Sequence, residues 1–376
     1  MSDLGAQLAG KRILVCAGPG GVGKTTVAAT VGLGLAAAGH RVAVITIDPA
    51  RRLAEALGIA ELGNRPQTVP AERFHAAGLN VDGELLAMML DVKATFDEVI
   101  ERLAPSAQTS QAILENPVYR HLSTAVAGSQ EYTAVAKLYE LVVADDYDVI
   151  VLDTPPSRNA VDFLDAPDRL IGFLDAGAAG AFARPAGAAL RAAGFVVAAL
   201  GRIAGTGLLG DLRTFFELTS GLLEGFHIRA VAVQELLRDP ATGFIVVSSP
   251  EREAVDEAIS FARELERFGM HRCAAVVNRV QPLDQSDAGV ATTTARLVPS
   301  LGLRLAATVA RTHEQVQILA RRDQQALARV RAELDLEPVF VLDRHADVHD
   351  AAGLVRLHRE LFGFGKVRSA TGTFPT

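Results

Sequence analysis

A glycine-rich segment near the amino terminus constrains the fold of this chain more than any other feature. Residues 18–25 read GPGGVGKT and lie between an apolar β-like run, Arg12–Cys16, and a helical pattern, Thr25–Ala38. The segment fits the pattern G-x-x-x-x-G-K-[ST], in which glycines let backbone N–H groups turn toward phosphate oxygens without Cβ clashes. The amino terminus of the following helix adds a partial positive charge. The sequence therefore predicts a phosphate-binding loop at the end of a strand.

The residue types in and around this loop predict how a nucleotide would be held. We expect the Lys24 ammonium to neutralise the β- and γ-phosphates and the Thr25 hydroxyl to bind Mg²⁺. Asp153 ends the apolar strand Val149–Leu152 and can hold Mg²⁺ through water. Asp48 ends another apolar run, where it could contact the metal and orient or deprotonate the attacking water. Each aspartate could instead be an ordinary turn or cap residue, which is common before proline.

Strand and helix signals alternate along the chain. Near-continuous apolar runs, which are typical of parallel strands covered on both faces, lie between helical patterns. The alternation predicts a doubly wound, mostly parallel α/β fold. The predicted strands are Arg12–Cys16, Arg41–Ile47, Val149–Leu152, Gly243–Val247, Cys273–Val277 and Val339–Leu342.

Two segments, 84–140 and 160–238, do not fit simple βαβ spacing and read as helical. We expect them to form one α-helical insertion subdomain at an edge of the sheet. The tail, 363–376, is rich in Gly, Ser and Thr and is expected to fray. A single domain spanning 1–362 would have its core in residues of about 11–80, 145–160 and 240–362. Further helices are predicted at Leu85–Leu103, Glu131–Ala144 and Glu251–Phe268, with a long surface helix at 304–334.

Composition argues against several classes of partner. The formal net charge is −7 and no basic tract is present, so we expect no nucleic-acid partner. Cys16 and Cys273 lie in separate apolar runs without C-x-x-C spacing, so neither zinc nor a disulfide is expected. Residues 1–10 lack a signal-peptide pattern, and the most apolar stretch, 192–210, is interrupted by Arg202. We therefore expect a cytoplasmic protein.

Three motifs together resemble one family. The loop GPGGVGKTT at 18–26, IDPA at 47–50 and DTPPS at 153–157 are similar to the ArsA-like ATPases, which include arsenite-pump ATPases and the GET-pathway ATPases that target tail-anchored proteins. That family belongs to the deviant-Walker-A, SIMIBI-like P-loop NTPases. The resemblance extends from about Lys11 to Phe362. Other family-like pieces are GSQE at 128–131, VVSSPE at 246–251, VVN at 276–278 and DVHD at 347–350.

The resemblance implies ATP and Mg²⁺ as cofactors, and it implies roles for single residues. Asp48 would be the switch I residue that activates water, and Asp153 would begin switch II and sense the γ-phosphate and Mg²⁺. Asn278 would read adenine, because its amide can both donate and accept, although an ordinary turn asparagine is the alternative. The residues implied to wrap the phosphates are Gly20, Gly21, Val22, Gly23, Lys24, Thr25 and Thr26.

One departure from the family pattern is Pro19. The family usually has a lysine at this position that reaches across a dimer to the partner's nucleotide, and proline carries no charge. Arg51, Arg52 and Arg158 in the switch segments are the candidate substitutes. Either the chain is a weakly active homodimer, or it pairs with a lysine-bearing ArsA-like paralogue.

The resemblance leaves the client open. Arsenite pumps of this family bind the metalloid through clustered cysteines, and eukaryotic-type targeting factors carry a zinc C-x-x-C; this chain has neither pattern. The first interpretation is an ATP-driven dimeric switch that acts on a hydrophobic helix or a membrane protein, peripheral to the inner face of the membrane. The alternatives are the catalytic subunit of an oxyanion efflux system and a non-hydrolysing nucleotide-binding subunit.

Overall fold

Strands and helices alternate along the chain in the computed structural model, which describes residues 4–47, 52–120, 129–154, 214–215, 217–219, 222–284, 288–343, 348 and 350–363. In these ranges the strands are β1 (Ile13–Ala17), β2 (Arg41–Thr46), β3 (Gln67–Thr68), β4 (Glu84–Met89), β5 (Val149–Asp153), β6 (Thr242–Ser248), β7 (Arg272–Val280) and β8 (Val339–Leu342). The helices are α1 (Leu4–Leu8), α2 (Lys24–Ala37), α3 (Arg52–Leu57), α4 (Glu72–His75), α5 (Val92–Leu103), α6 (Ala107–Glu115), α7 (Ser129–Ala144), α8 (Leu223–Arg238), α9 (Arg252–Arg267), α10 (Val290–Leu334) and α11 (Ala351–Leu361).

The described strands form one eight-stranded sheet in the order β3-β4-β2-β5-β1-β6-β7-β8. Every neighbouring pair is parallel except β3 with β4. From β1 the chain builds one half of the sheet, and after β5 it crosses to β6 on the other side of β1. The predicted doubly wound, mostly parallel α/β fold is confirmed. In such sheets, ligands bind at the carboxyl ends of the strands where the strand order reverses, which here is the end of β1.

Two hydrophobic cores lie on the two faces of this sheet. In β1, Leu14 and Cys16 belong to the core that is shared with α2, α3 and α11. Ile13, Val15 and Ala17 belong to the opposite core, which contains residues of α7, α8, α9 and α10. Because both faces are covered, all five residues of β1 are buried. This is why the strand reads as a continuous apolar run rather than an alternating one.

The helix predicted at Leu85–Leu103 is wrong over its first residues. Glu84–Met89 is strand β4, which pairs in parallel with β2 from Arg41 to Thr46, and α5 begins only at Val92. The sequence ELLAMM consists of residues that favour helices. Pairing with a buried neighbouring strand overrides that preference, because strand propensity depends strongly on tertiary context.

The long helix predicted at 304–334 begins earlier, at Val290, and is not entirely a surface helix. Gly302 has φ 71° and ψ 159°, which divides α10 into two helical parts. Near its carboxyl end Leu327, Val330 and Leu334 are buried in the core that also contains α9. The many Arg and Gln residues predicted a solvated surface, but they occupy only one side of this part of the helix.

Several predictions concern residues outside the described ranges. Asp48, Arg51 and Arg158 are among them, as are 155–213, which make up most of the second segment predicted as helical. In the described part of the chain, every helix is too short or too polar to cross a lipid bilayer.

Candidate nucleotide-binding site

The loop between β1 and α2 has a backbone that only glycine can follow at several positions. A Cβ atom at Gly18 would lie 1.9 Å from the carbonyl oxygen of Val247 in β6. Gly21 and Gly23 have φ angles of 78° and 93°, in the left-handed region that side chains disfavour. Gly23 is also the residue that precedes the first turn of α2. These constraints hold a tight turn at the carboxyl edge of the sheet, directly before the helix amino terminus.

Lys24 folds back over this turn. Its side chain is buried, and its Nζ donates a hydrogen bond to the carbonyl oxygen of Pro19 at 2.8 Å. Burying an ammonium group is costly unless polar partners surround it. The loop carbonyl supplies one such partner, and the ammonium is thereby held at the amino terminus of α2, where an anion is favoured. Thr25 and Thr26 follow in the first turn and are half-buried.

Asp153 lies at the same edge, at the end of β5. This strand lies between β1 and β2, and Asp153 is in register with both Cys16 and Thr46. The carboxylate is buried, and its Oδ2 accepts a hydrogen bond from Thr46 Oγ1 at 2.9 Å. The next residue, Thr154, donates from its hydroxyl to the carbonyl oxygen of Cys16 at 2.9 Å. These contacts bring Asp153 to the strand that leads into the glycine loop.

The Asp153 carboxylate and the Lys24 ammonium both influence the pKa of Cys16, which lies near the end of β1. Burial raises the pKa of the Cys16 thiol well above its usual value, and the Asp153 carboxylate raises this pKa further. The Lys24 ammonium acts in the opposite sense and lowers the pKa. A cation and an anion are therefore both close to this position.

The donor set at this edge fits Mg²⁺. The Thr25 hydroxyl and the Asp153 carboxylate are hard oxygen donors, which Mg²⁺ prefers, and it commonly completes its shell with phosphate oxygens and water. Within the described residues, no group of three or more His, Cys, Asp or Glu side chains could hold a metal ion. Asp48, the other predicted ligand, lies outside those residues.

Asn278 contacts the glycine loop itself, which sequence reasoning did not predict. It lies in β7, and its Nδ2 donates to the carbonyl oxygen of Val22 at 2.9 Å. Its Oδ1 accepts from the backbone N–H of Arg279 at 3.0 Å, and Arg279 has a left-handed φ of 62°. The expected role of Asn278 in reading adenine remains a prediction. The signal for the loop contact was its position near the end of a strand that reaches the same edge as β1.

Of the arginines predicted to replace the family's lysine, Arg52 is described. It is exposed at the first residue of α3, which follows β2. The carboxyl end of β2 lies at the edge of the sheet that carries the glycine loop. Arg52 therefore lies at the start of a helix that follows a strand ending at the glycine-loop edge of the sheet. Arg51 and Arg158 lie outside the described residues.

The doubly wound sheet, with a glycine turn and a buried lysine after its first strand, defines a protein of the P-loop nucleoside-triphosphatase class. Comparison with known families is more specific. The chain belongs to the anion-transporting ATPase (ArsA) family, whose model matches residues 11–297.

The names of individual relatives are consistent with this family. The chain is 31% identical over 278 residues to a protein of Halobacterium salinarum described as an arsenical pump-driving ATPase, with 73% of this chain and 36% of the relative covered. It is 31% identical over 159 residues to the ATPase GET3 of Malassezia globosa, covering 42% and 43%. A third relative, described as arsenical pump-driving ATPase 1 of Aquifex aeolicus, is 26% identical over 279 residues, covering 72% and 64%. The chain thus matches less than two thirds of the length of each of these relatives.

Proposed function

We propose that this chain binds ATP with Mg²⁺ in the loop of residues 18–26 and hydrolyses it to ADP and phosphate. The observation that carries the proposal is the buried Lys24 ammonium, held by the Pro19 carbonyl inside a turn that only glycines can form. A buried cation beside a helix amino terminus is a site for a polyanion. The membership of the chain in a family of ATPases supports the same chemistry.

Each predicted residue has a place in this proposal. The backbone N–H groups of Gly20 to Thr26 bind the phosphate oxygens, and Lys24 exchanges its bond to Pro19 for a bond to the β- and γ-phosphates. Thr25, Asp48 and Asp153 would hold the metal, partly through water, and Asp48 would also orient and deprotonate the attacking water. When bound, Mg²⁺ supplies positive charge to the phosphate oxygens. Asn278 contacts the adenine edge from the end of β7.

Two substitutions test ATP binding and ATP hydrolysis separately. Lys24→Met is expected to weaken ATP binding by about a hundredfold, because a charge-assisted contact worth about 3 kcal/mol is lost. Asp48→Asn is expected to leave ATP affinity near that of the unmodified chain and to abolish phosphate release. Calorimetry with ATP and Mg²⁺ measures the first, and a phosphate-release assay measures the second.

The chain contains a matched control for Lys24. Lys11 donates from Nζ to another prolyl carbonyl, that of Pro240, at 2.6 Å, before the opposite end of β1. Lys11→Met removes the same kind of contact away from the glycine loop, so ATP affinity is expected to stay unchanged. Equal loss of affinity in the Lys11 and Lys24 variants would contradict a phosphate-binding role for Lys24.

The cycle of binding and hydrolysis is proposed to drive a dimeric switch that acts on a membrane-associated client. ATP would close two subunits, and loss of the γ-phosphate would relax them. The names of the relatives support two kinds of client, a pump in one case and the GET3 system in the other. Turnover stimulated by arsenite would favour an oxyanion efflux subunit, and capture of hydrophobic helices would favour the switch with a helical client.

A second candidate is a slow or non-hydrolysing subunit that pairs with a lysine-bearing paralogue. The specific observation in its favour is Pro19, which is buried and uncharged where the family usually has its lysine. Retention of unhydrolysed ATP by the purified chain, with full turnover only after mixing with a lysine-bearing relative, would support this candidate. Full turnover of the chain alone, unaffected by replacing Arg51, Arg52 and Arg158, would exclude it.

A further inference from the structure

The first part of α10 carries positive charge and no negative charge. From residue 288 to residue 313 the sequence contains three arginines and no aspartate or glutamate, whereas the whole chain has a formal net charge of −7. Arg296, Arg304 and Arg311 are all exposed. A positive segment on a negative protein is a surface that attracts an anionic partner.

Contacts between the residues that follow β7 and the later part of α10 show that the chain reverses direction between them. Gln281 N–H donates to Asp323 Oδ2 at 2.9 Å, and Asp284 N–H donates to Gln317 Oε1 at 2.8 Å. His313 Nε2 lies 3.5 Å from Asp284 Oδ2. The residues that follow β7 therefore lie antiparallel to the later part of α10. The simplest arrangement that satisfies these contacts is a helical hairpin whose tip is Gly302, where the backbone leaves the helical conformation.

The tip of this hairpin exposes large apolar side chains. Leu303 and Leu305 are 68% and 53% exposed, and Leu301 and Val309 are each 38% exposed. By contrast Ala306 and Ala310 are buried, so the exposed residues are not simply part of an unpacked helix. Four exposed aliphatic side chains within nine residues form a patch of the kind that marks an interaction site.

We propose that this tip, residues 301–309 with Arg296, Arg304 and Arg311 around it, inserts into the surface of an anionic lipid bilayer. Apolar side chains beside arginines are the pattern of segments that lie in the membrane interface, because the leucines enter the acyl boundary while the guanidinium groups stay with the anionic headgroups. A second copy of the same tip is disfavoured as the occupant, because like charges would meet.

The hairpin begins beside the nucleotide site. β7 carries Asn278, which contacts the glycine loop, and the segment that leads into the hairpin starts directly after β7 at Gln281. Membrane attachment at the tip would therefore hold the nucleotide edge of the sheet near the bilayer. The lipid contact itself requires no nucleotide, so its failure and the failure of the proposed ATPase activity can be told apart.

The experiment is co-sedimentation of the full chain with vesicles of phosphatidylcholine mixed with phosphatidylglycerol, compared with vesicles of phosphatidylcholine alone. We expect binding to the anionic vesicles, and the double variant Leu303→Ser, Leu305→Ser should lower that binding about tenfold or more. Arg304→Glu with Arg311→Glu should lower it by a similar factor, and added salt should weaken it. The matched control is Val143→Ser with Ile228→Ser, two other exposed apolar residues, 63% and 57% exposed, whose loss should leave binding unchanged.

A second measurement reports insertion directly. The chain contains no tryptophan, so Leu303→Trp introduces a single indole at the tip. Its fluorescence should shift to the blue with anionic vesicles and not with neutral ones, and Lys24→Met should not alter the shift. No sedimentation and no shift with anionic vesicles would overturn the proposal. A blue shift of the fluorescence that appears without vesicles and grows with protein concentration would also overturn the proposal, and it would indicate contact between copies of the chain.

Discussion

Asn278 Nδ2 and the carbonyl oxygen of Val22 are 2.9 Å apart, although 256 residues separate them in the sequence. The bond ties β7 to the glycine loop, two strands away from β1 in the sheet. It also explains the small size required at Gly23, since a Cβ atom there would lie 2.4 Å from the same Nδ2. The shape of the phosphate loop thus depends on a strand that is remote in sequence.

Asn278→Ala removes this bond and should weaken the nucleotide site. A hydrogen bond of this kind contributes about 1 kcal/mol, so ATP affinity is expected to fall about fivefold. If Asn278 also reads adenine, ATP affinity should fall more than GTP affinity. Calorimetry with both nucleotides makes the distinction, and Asn80→Ala is the control, because this exposed asparagine donates to nearby Asp82. Unchanged affinity for both nucleotides would contradict a role for Asn278 in the site.

Gly23→Ala should nearly abolish nucleotide binding. The new Cβ would push the Asn278 amide away from Val22, and alanine at φ 93° costs about 1–2 kcal/mol. Gly39→Ala is the matched control, because Gly39 has φ 95° but a Cβ there meets no atom within 4 Å. Both variants should lose a similar amount of stability from backbone strain, and only Gly23→Ala should lose ATP binding. Equal nucleotide affinity in the two variants would argue against the contact with Asn278.

Thr46→Val tests the buried carboxylate at the end of β5. The substitution keeps the shape of the side chain but removes the hydroxyl that donates to Asp153, which should cost about 1–3 kcal/mol of unfolding free energy and raise the Mg²⁺ concentration needed for ATP binding. Thr242→Val is the control, since this buried hydroxyl donates to the carbonyl oxygen of Leu236 at the opposite end of the sheet. Urea unfolding and an Mg²⁺ titration are the measurements. Identical Mg²⁺ dependence in both variants would show that Asp153 is not connected to the metal.

Both cysteines should be unreactive in the folded protein. Burial raises the pKa of the Cys273 thiol to about 12, and burial together with the Asp153 carboxylate raises the pKa of Cys16 well above its usual value. The thiolate is the reactive form, so a thiol-specific reagent at pH 8 should label neither residue rapidly and should label both after unfolding in urea. Because the folded pKa values are raised, the unfolded chain loses these protons first, and stability should decline as the pH rises above about 9. Rapid labelling of the native chain at pH 8 would contradict the raised pKa values of the two thiols.

Much of the fold was predictable because parallel strands covered on both faces leave a strong apolar signal. β1, β2, β5, β6, β7 and β8 were all predicted, with bounds that differ from the observed ones by at most a few residues. β4 was missed because Leu, Ala and Met favour helices, and only pairing with β2 makes Glu84–Met89 a strand. β3 has two residues and leaves no periodic signal.

The site was predictable to the extent that local sequence determines it. The glycine turn and Lys24 follow from one continuous motif, and the position of Asp153 beside β1 follows from its place at a strand end. The contacts from Thr46 to Asp153 and from Asn278 to Val22 depend on strand order and register, which no single segment encodes. The exposed leucine tip at Gly302 was not predicted, because the helix was predicted to begin only at 304 and the sequence did not show that helix also precedes this glycine.

The proposed nucleotide site is tested most directly by a crystal structure of the chain with a non-hydrolysable ATP analogue and Mg²⁺. We expect the β- and γ-phosphates inside the turn of residues 18–26, with the Lys24 ammonium moved from the Pro19 carbonyl to a phosphate oxygen. A structure in which Lys24 still bonds to Pro19 and the analogue is absent, or lies elsewhere, would contradict it.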